Sequence, residues 1–397
     1  MTESSKIRVA LVVLNDLGSG GAHNYESGVI NDLVSAENLP FEFLIFAPHK
    51  LVNAIKERSP DIEVRPYRSG LLTMIFLSLR NSLQGYKLLK ALGLRYGRLE
   101  RLFVREGVSL AYFLAPNALV LDLVDMPTIN TVWDLGHRDI PEFIELTGDR
   151  HFEERELFYR QILPKSYRVI VDTEKTSERI QAIYGVIKDR IIVGGLAVRK
   201  PSVPDSQSSE TSKFFLYPAQ FWPHKRHVLL LEAFSIVCGQ NPECKLIFTG
   251  SDKGNLEHIK SVAKSLGVSS RVEFKGFIES TELAALMRDA HCVVFPSQLG
   301  PSNLPPLEAA LLGTKSLVSN VHFDPLLSHP LISVVPTQSA EDWAIAMIQS
   351  LNELEIPLEP LADIDSTLIT QLCESFLEFK ARRNEWMDIS HQRFKRK

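Results

Sequence analysis

Short runs of branched apolar residues alternate with amphipathic stretches along the chain. The first run, IRVALVVL at 7–14, is followed by a Gly-rich turn and an amphipathic segment over 22–35. Continuous apolar runs are typical of strands that are buried on both faces of a parallel sheet. Similar runs predict strands over 41–48, 109–116, 128–135, 168–173 and 190–198.

The same alternation restarts in the second half, which predicts a second parallel sheet with right-handed crossovers. Its predicted strands cover 214–219, 244–250, 272–277, 292–297 and 315–320, and its predicted helices cover 227–240, 255–267, 280–290 and 305–313. Ligands of such α/β sheets bind beyond the carboxyl ends of the strands. We therefore expect two doubly wound units whose strand ends face one cleft.

The polar stretch KPSVPDSQSSETSK at 200–213 has little to bury and is predicted to link the two units. This gives an N-terminal unit over 1–199, a linker over 200–213 and a C-terminal unit over 214–366. Residues 367–397 are expected to form one or two helices that pack back toward the N-terminal unit.

Composition is that of an ordinary soluble protein of 397 residues, with 45% hydrophobic and 23% charged residues. A net charge of −4 argues against nucleic-acid binding by bulk charge. No run reaches the length of a membrane span, and the start lacks a signal-peptide pattern. The four cysteines have no metal spacing and are expected to be free thiols in a reducing cytoplasm.

The segment 65–105 stands apart because it carries nine basic residues against one acidic residue, Glu100. Apolar stretches such as LLTMIFLSL and GYKLLKALGL are mixed with these charges. Such a basic amphipathic segment can lie on an anionic membrane surface, and it can equally be an ordinary helix with one solvated face. Composition alone leaves both interpretations open.

Lys225 follows a predicted strand in YPAQFWPHKRHV, between His224 and Arg226. A cation at a strand end can neutralise a phosphate, although Lys225 taken alone also fits a surface position. The stretch GPSNLPPLEA provides a second phosphate-binding element. Free N–H groups at a helix start attract anions, and the prolines 305 and 306 occupy the first turn without wasting donors.

Glu308 lies near the start of this predicted helix, where a carboxylate can accept hydrogen bonds from two ribose hydroxyls or simply support the helix. His137, in VWDLGHRDIPEF, follows a strand end and can bond a sugar hydroxyl, transfer a proton or be a structural polar residue. The turn with Gly20 and Gly21 allows close approach of a ligand but does not match the dinucleotide pattern. The pair Asp363 and Asp365 has no preceding strand and is discounted as a metal site.

Together these residues resemble the retaining glycosyltransferases of the GT-B fold, family 4 (glycosyl transferases group 1). The run GF…ELAALMRDAHCVVFPS and the following LPPLEA…LG resemble the C-terminal signature of that family. LGSGGAHNY and DLGH resemble its glycine-rich loop and its donor-facing histidine. The similarity spans both halves of the chain and implies two Rossmann-like domains facing across a cleft.

The resemblance implies a role for each matching residue. Lys225 and the backbone of Ser302, Asn303 and Leu304 would bind the diphosphate of a sugar nucleotide. Glu308 would hold the ribose, and His137 would contact the donor sugar. Gly20 and Gly21 would line the cleft. The family needs no metal or other cofactor, because protein cations and helix dipoles stabilise the departing diphosphate.

Two positions depart from the family pattern. Gln220 stands where the family has an arginine, and Gly300 stands where it has the first glutamate of its signature. Either the enzyme is inactive, or neighbouring groups replace the lost ones. Arg226 or His224 would supply charge, and Asn303 would replace the sugar contact. The coherent turn GPSN favours an active variant.

The expected reaction is transfer of a hexose, with retention, from a nucleotide-diphosphate sugar to a glycan or lipid-linked glycan acceptor in bacterial surface polysaccharide synthesis, including lipopolysaccharide. The stretch FWPHK suggests GDP-mannose as donor. The expected location is the cytoplasm, with peripheral membrane contact through 65–105. The alternatives are a sugar-nucleotide epimerase, which the missing carboxylate at Gly300 disfavours, and a degenerate protein that only binds.

Overall fold

The computed structural model describes residues 7–14, 21–36, 39, 41–58, 62–67, 76, 79, 82–92, 94, 96–194, 198–203, 213–300, 304–320, 328–336, 339–353, 359–364 and 367–394. The chain divides into two compact units. The first unit comprises Met1–Trp133, Glu153–Leu196 and Ser366–Lys397, and the second comprises Asp134–Phe152 and Ala197–Asp365. Each unit is thus built from chain segments that are separated in sequence.

The first unit is built on a seven-stranded parallel sheet of order β3-β2-β1-β4-β5-β6-β7. Its strands are β1 Ile7–Val12, β2 Phe41–Pro48, β3 Glu63–Tyr67, β4 Val108–Phe113, β5 Thr128–Val132, β6 Arg168–Val171 and β7 Ile191–Val193. The central strands β1 and β4 are buried along almost their whole length, which explains their largely apolar sequences.

The α-helices of the first unit connect these strands and cover the sheet. They are α1 Gly21–Ser35, α2 Val52–Arg58, α3 Leu83–Ala91, α4 Arg98–Arg105, α7 His151–Ile162, α8 Glu174–Tyr184 and α14 Leu368–Phe394, where α7 begins within the second unit. The last helix returns to this unit at the end of the chain. Leu368, Leu372 and Phe376 on α14 are buried in the same core as Val9 and Phe41.

The second unit has a six-stranded parallel sheet of order β10-β9-β8-β11-β12-β13. Its strands are β8 Phe214–Pro218, β9 Lys245–Thr249, β10 Val272–Gly276, β11 Cys292–Phe295, β12 Ser316–Ser319 and β13 Ile332–Val335. Its helices are α5 Gly136–Asp139, α6 Ile144–Thr147, α9 His227–Gln240, α10 Leu256–Ser265, α11 Ser280–Asp289, α12 Leu304–Leu311 and α13 Ala340–Asn352.

Segment boundaries differ from the sequence expectation in one respect that matters for the site. Residues Asp134–Phe152 lie between β5 and β6 in sequence, yet they belong to the second unit. Of the expected linker, 204–212 lie outside the described residues. Within the described helices, none is long and apolar enough to cross a bilayer.

Candidate functional site

The loop after β8 holds Lys225 at the carboxyl end of the second sheet. A 3₁₀ turn over Pro223–Lys225 is followed by Arg226 in the left-handed conformation, at φ 55°, and α9 begins at His227. The Tyr217 hydroxyl donates a hydrogen bond to the carbonyl oxygen of Lys225 at 2.7 Å. This contact ties the turn back to the last residues of β8.

The side chain of Lys225 points toward the turn that follows β11. Its Nζ donates hydrogen bonds to the Ser297 hydroxyl and to the Leu299 carbonyl oxygen, each at 3.0 Å. Burial lowers the pKa of Lys225 to about 8, and the nearby Asp134 carboxylate opposes this shift. The structure therefore brings Lys225 together with the turn that leads to α12.

A second link joins the same two loops through their backbones. The amide N–H of Gln298 donates to the carbonyl oxygen of His224 at 3.0 Å. The hydroxyl of Ser319, at the end of β12, donates to the Ser297 carbonyl oxygen. Three neighbouring strand ends, those of β8, β11 and β12, thus form one hydrogen-bonded platform around Lys225.

The loop after β9 approaches this platform closely because Gly250 has no side chain. A Cβ on Gly250 would lie 2.3 Å from the carbonyl oxygen of Ala219, and its φ is 142°. Both facts require glycine at this position. The close approach lets Phe221 N–H donate to the Ser251 carbonyl oxygen at 3.1 Å, which fixes the chain just before Trp222.

Segment 134–148 packs against the turn after β11 in the second unit. Leu299 forms a buried apolar cluster with Ile140, Phe143 and Leu146. Gly136 allows this contact, because a Cβ there would lie 2.6 Å from the Leu299 side chain. His137 follows in α5 and is buried, with its ring 5.5 Å from that of Phe152. The expected sugar contact of His137 stays a prediction.

Glu308 lies on α12, two residues after the prolines of its first turn. Burial raises the pKa of its carboxyl group, and no described residue forms a hydrogen bond with that carboxylate. A carboxylate without a partner is suited to accept hydrogen bonds from a ligand. Leu304 is the first residue of α12, whereas Ser302 and Asn303 lie outside the described residues.

The remaining expected site residues have the following places. The Gln220 amide oxygen accepts a hydrogen bond from Trp222 Nε1 at 3.0 Å. Arg226 is half-buried, and burial lowers the pKa of its guanidinium group. Gly21 begins α1 in the first unit, and Gly20 lies outside the described residues. Of the discounted acidic pair, Asp363 accepts a hydrogen bond from Lys200 N–H at 2.8 Å, and Asp365 is not described.

Sequence reasoning missed Glu145, which is the carboxylate in contact with the Lys225 loop. Its Oε1 atom lies 3.0 Å from both the backbone nitrogen and Nδ1 of His224. The two residues are 79 positions apart, and no linear pattern around Glu145 marks it. Ser297 and Tyr217 were missed for the same reason, because their role depends on which strands are neighbours.

Comparison with known proteins shows which chains are similar to this one. Residues 198–356 match the family model of glycosyl transferases group 1. The serotype-specific mannosyltransferase WbdA of Escherichia coli is 27% identical over 199 residues, which are 49% of this chain and 24% of that protein. Mannosylfructose-phosphate synthase of Agrobacterium fabrum is 28% identical over 103 residues, 24% of this chain and 23% of that protein. The chain thus spans about a quarter of the length of these relatives.

Solved structures show the fold. The sucrose-phosphate synthase of Thermosynechococcus elongatus superposes with a TM-score of 0.65 at 19% identity, over 98% of this chain and 100% of that chain. WaaG, a glycosyltransferase involved in lipopolysaccharide biosynthesis, has a TM-score of 0.65 at 14% identity, over 87% of this chain and 90% of that chain. The expected GT-B architecture is confirmed, and residues 198–356 of this GT-B chain match the glycosyl transferases group 1 model.

Proposed function

We propose that this chain is a retaining glycosyltransferase that uses a nucleotide-diphosphate sugar as donor. The observation that carries the proposal is the buried ammonium group of Lys225, held at the turn before α12 by two neutral oxygen atoms. Neither oxygen neutralises the charge, so the ammonium group is ready to pair with a diphosphate. The family match at 198–356 supports the same assignment.

The proposed reaction transfers a hexose to a hydroxyl group. The bond between the anomeric carbon and the β-phosphate oxygen breaks, and a bond forms from that carbon to the acceptor oxygen. The acceptor proton moves to the departing phosphate, whose negative charge Lys225 stabilises. Such preorganised electrostatic stabilisation is commonly the largest contribution to catalysis. The donor-side residues are Lys225, Glu308, His137 and the amides at 302–304.

The proposed donor is GDP-mannose and the proposed acceptor is a glycan or a lipid-linked glycan of a bacterial surface polysaccharide. Support comes from the names of the relatives, which include a mannosyltransferase and a protein of lipopolysaccharide biosynthesis. No metal is assigned a role, since Lys225 and the helix start take the charge of the diphosphate.

Contact with an anionic membrane surface is part of the proposal. On and beside α3, the large apolar side chains of Leu83, Leu88 and Leu92 are 72%, 54% and 62% exposed, and Lys87 is exposed next to them. Exposed leucines with basic neighbours favour an anionic lipid surface. Sedimentation with anionic vesicles tests this: replacing the three leucines by serine should release the protein.

The decisive experiment measures thermal stability with GDP, UDP, ADP and dTDP sugars, followed by a transfer assay with the stabilising donor. A donor at one hundred times its Kd adds about 2.7 kcal/mol to the free energy of unfolding. A protein that binds a donor but neither transfers nor hydrolyses its sugar would be a binding subunit. Gln220, whose amide oxygen is already bonded to Trp222, and Gly300 favour that second candidate.

A further inference from the structure

His224 and Glu145 form a buried pair beside Lys225. Glu145 Oε1 accepts hydrogen bonds from the backbone N–H and from Nδ1 of His224, both at 3.0 Å. The two side chains are 10% exposed for His224 and 9% exposed for Glu145. A carboxylate oxygen can only accept here, so the hydrogen of the His224 ring lies on Nδ1.

The His224 ring is neutral near pH 7. Burial and the adjacent Lys225 ammonium group lower its pKa to about 4, although the Glu145 and Asp134 carboxylates oppose the shift. A neutral ring with its hydrogen on Nδ1 carries a lone pair on Nε2. Within the described part of the chain, Nε2 has no hydrogen-bond partner. His224 is therefore an acceptor and not the replacement cation that the sequence suggested.

The position of this acceptor matters because of Gly300. The His224 carbonyl oxygen binds the Gln298 amide, and Lys225 binds the Leu299 carbonyl oxygen, so both residues border the turn that leads to Gly300. Position 300 is where the family pattern has a glutamate. Glycine there, at φ 134°, provides no side-chain acceptor. A sugar bound next to the Lys225 ammonium group would lack one hydrogen-bond partner.

We propose that the neutral His224 ring, held by Glu145, accepts a hydrogen bond from a hydroxyl group of the donor sugar and so replaces the carboxylate absent at position 300. The proposal rests on the proposed function and deepens it. Glu145 is a positioning residue, because one of its oxygens accepts hydrogen bonds from His224 and the other is buried with no hydrogen-bond partner among the described residues. In this proposal, His224 Nε2 is the atom that accepts the hydrogen bond from the sugar hydroxyl.

The test distinguishes the contribution of the sugar to binding from the contribution of the nucleoside diphosphate. Calorimetry gives the Kd of GDP, UDP, ADP and dTDP and of the matching GDP-mannose, UDP-glucose, ADP-glucose and dTDP-glucose. For each base, the Kd of the nucleoside diphosphate divided by the Kd of its sugar nucleotide measures how much the sugar adds to binding. In His224→Phe, which keeps the ring beside Phe143 and Trp222, the sugar should bind about three- to tenfold more weakly relative to the diphosphate alone. The Kd of the nucleoside diphosphate alone should change by less than about twofold, which is smaller than the expected weakening of sugar binding.

Variants at position 145 test the positioning role. Glu145→Leu should lower this ratio of Kd values as His224→Phe does. Glu145→Gln keeps an oxygen acceptor for His224, so its ratio should equal that of the unaltered protein. Glu142→Leu is the matched control, since Glu142 is an exposed carboxylate three residues away, and the ratio should not change. Circular dichroism establishes that each variant is folded, and Glu145→Leu decides the outcome if His224→Phe does not fold.

Three results would overturn the inference. An unchanged ratio in folded His224→Phe shows that Nε2 makes no sugar contact, while the proposed function stands. Loss of nucleoside diphosphate binding in that variant places His224 at the phosphates instead. If the unaltered protein binds none of the four nucleoside diphosphates, the proposed function fails, and the inference fails with it.

Discussion

The Nζ atom of Lys225 lies 3.0 Å from the carbonyl oxygen of Leu299, in a site where burial lowers the pKa of the lysine to about 8. This contact holds a cation beside the turn before α12, and none of the described carboxylates forms an ion pair with it, although the charge of Asp134 acts on it. A charge held in this way costs folding energy and is available to an anionic ligand.

Lys225→Met should lower kcat of the transfer reaction by a factor of about 10² to 10³, because it removes a preorganised charge that opposes the charge on the leaving diphosphate. Steady-state kinetics with the donor found in the stability screen measures the effect. Lys264→Met removes an exposed lysine of the same unit and should leave kcat unchanged. A Lys225→Met enzyme with the kinetics of its control would disprove the assignment.

The affinity for a nucleoside diphosphate should depend on the protonation of Lys225. The charged form binds the ligand, so affinity is full below the pKa of about 8 and falls up to about tenfold per pH unit above it. Calorimetric titrations from about pH 7.5 to about pH 9.5 test this. Lys225→Arg keeps its charge over this range, and its affinity should not decline. Parallel pH profiles for lysine and arginine would contradict the prediction.

Gly250→Ala should destabilise the second unit by about 3 kcal/mol, through strain at φ 142° and through the clash with the Ala219 carbonyl oxygen. Gly254→Ala is a matched control. It also has a positive φ, of 89°, but a Cβ there meets no atom within 4 Å. The control should lose only about 1 kcal/mol. Urea denaturation compares the two, and equal losses would rule out the clash.

His227→Phe should make the protein less sensitive to acid. His227 is buried beside the rings of Tyr217 and Phe221, and burial lowers its pKa to about 3. Below pH 6.5 the unfolded chain binds a proton that the folded chain does not, so folding stability falls as pH decreases toward 3. Each pH unit contributes up to about 1.4 kcal/mol.

The measurement for His227 is the difference in unfolding free energy between His227→Phe and the unaltered protein. This difference should grow in favour of the variant between pH 6.5 and pH 4. Comparing the two proteins at each pH removes the contribution of His224, which titrates in both of them. A difference that does not vary with pH would mean that His227 does not resist protonation.

The central strands were predictable from the apolar pattern, whereas two of the edge strands were not. The expected strand at 41–48 and the expected helix at 227–240 coincide with β2 and α9. Sequence patterning missed β3, Glu63–Tyr67, and β13, Ile332–Val335, which are one edge strand of each sheet, but it predicted the opposite edge strands β7 and β10. An edge strand buries less of its surface, so charged residues and even Pro66 interrupt its apolar pattern.

The candidate site was predictable in part. Lys225 was expected because it follows a strand that ends at the ligand-binding edge of an α/β sheet. Its partners Ser297, Leu299 and Tyr217 depend on the neighbouring order of β8 and β11, which pairing decides and local sequence does not. The contact between Glu145 and His224 was harder still to predict, because the two residues are 79 positions apart and their segments are separated in sequence by part of the first unit.

Because the second unit includes Asp134–Phe152, it is not a contiguous module that can be exchanged between relatives at a single junction. A chimera that takes residues 214–366 from one protein and the rest from another would combine the His224 of one parent with the position-145 residue of the other. The contact between positions 145 and 224 is therefore kept intact only when both stretches come from one parent. Recombination between related proteins should succeed more often when both stretches come from the same parent.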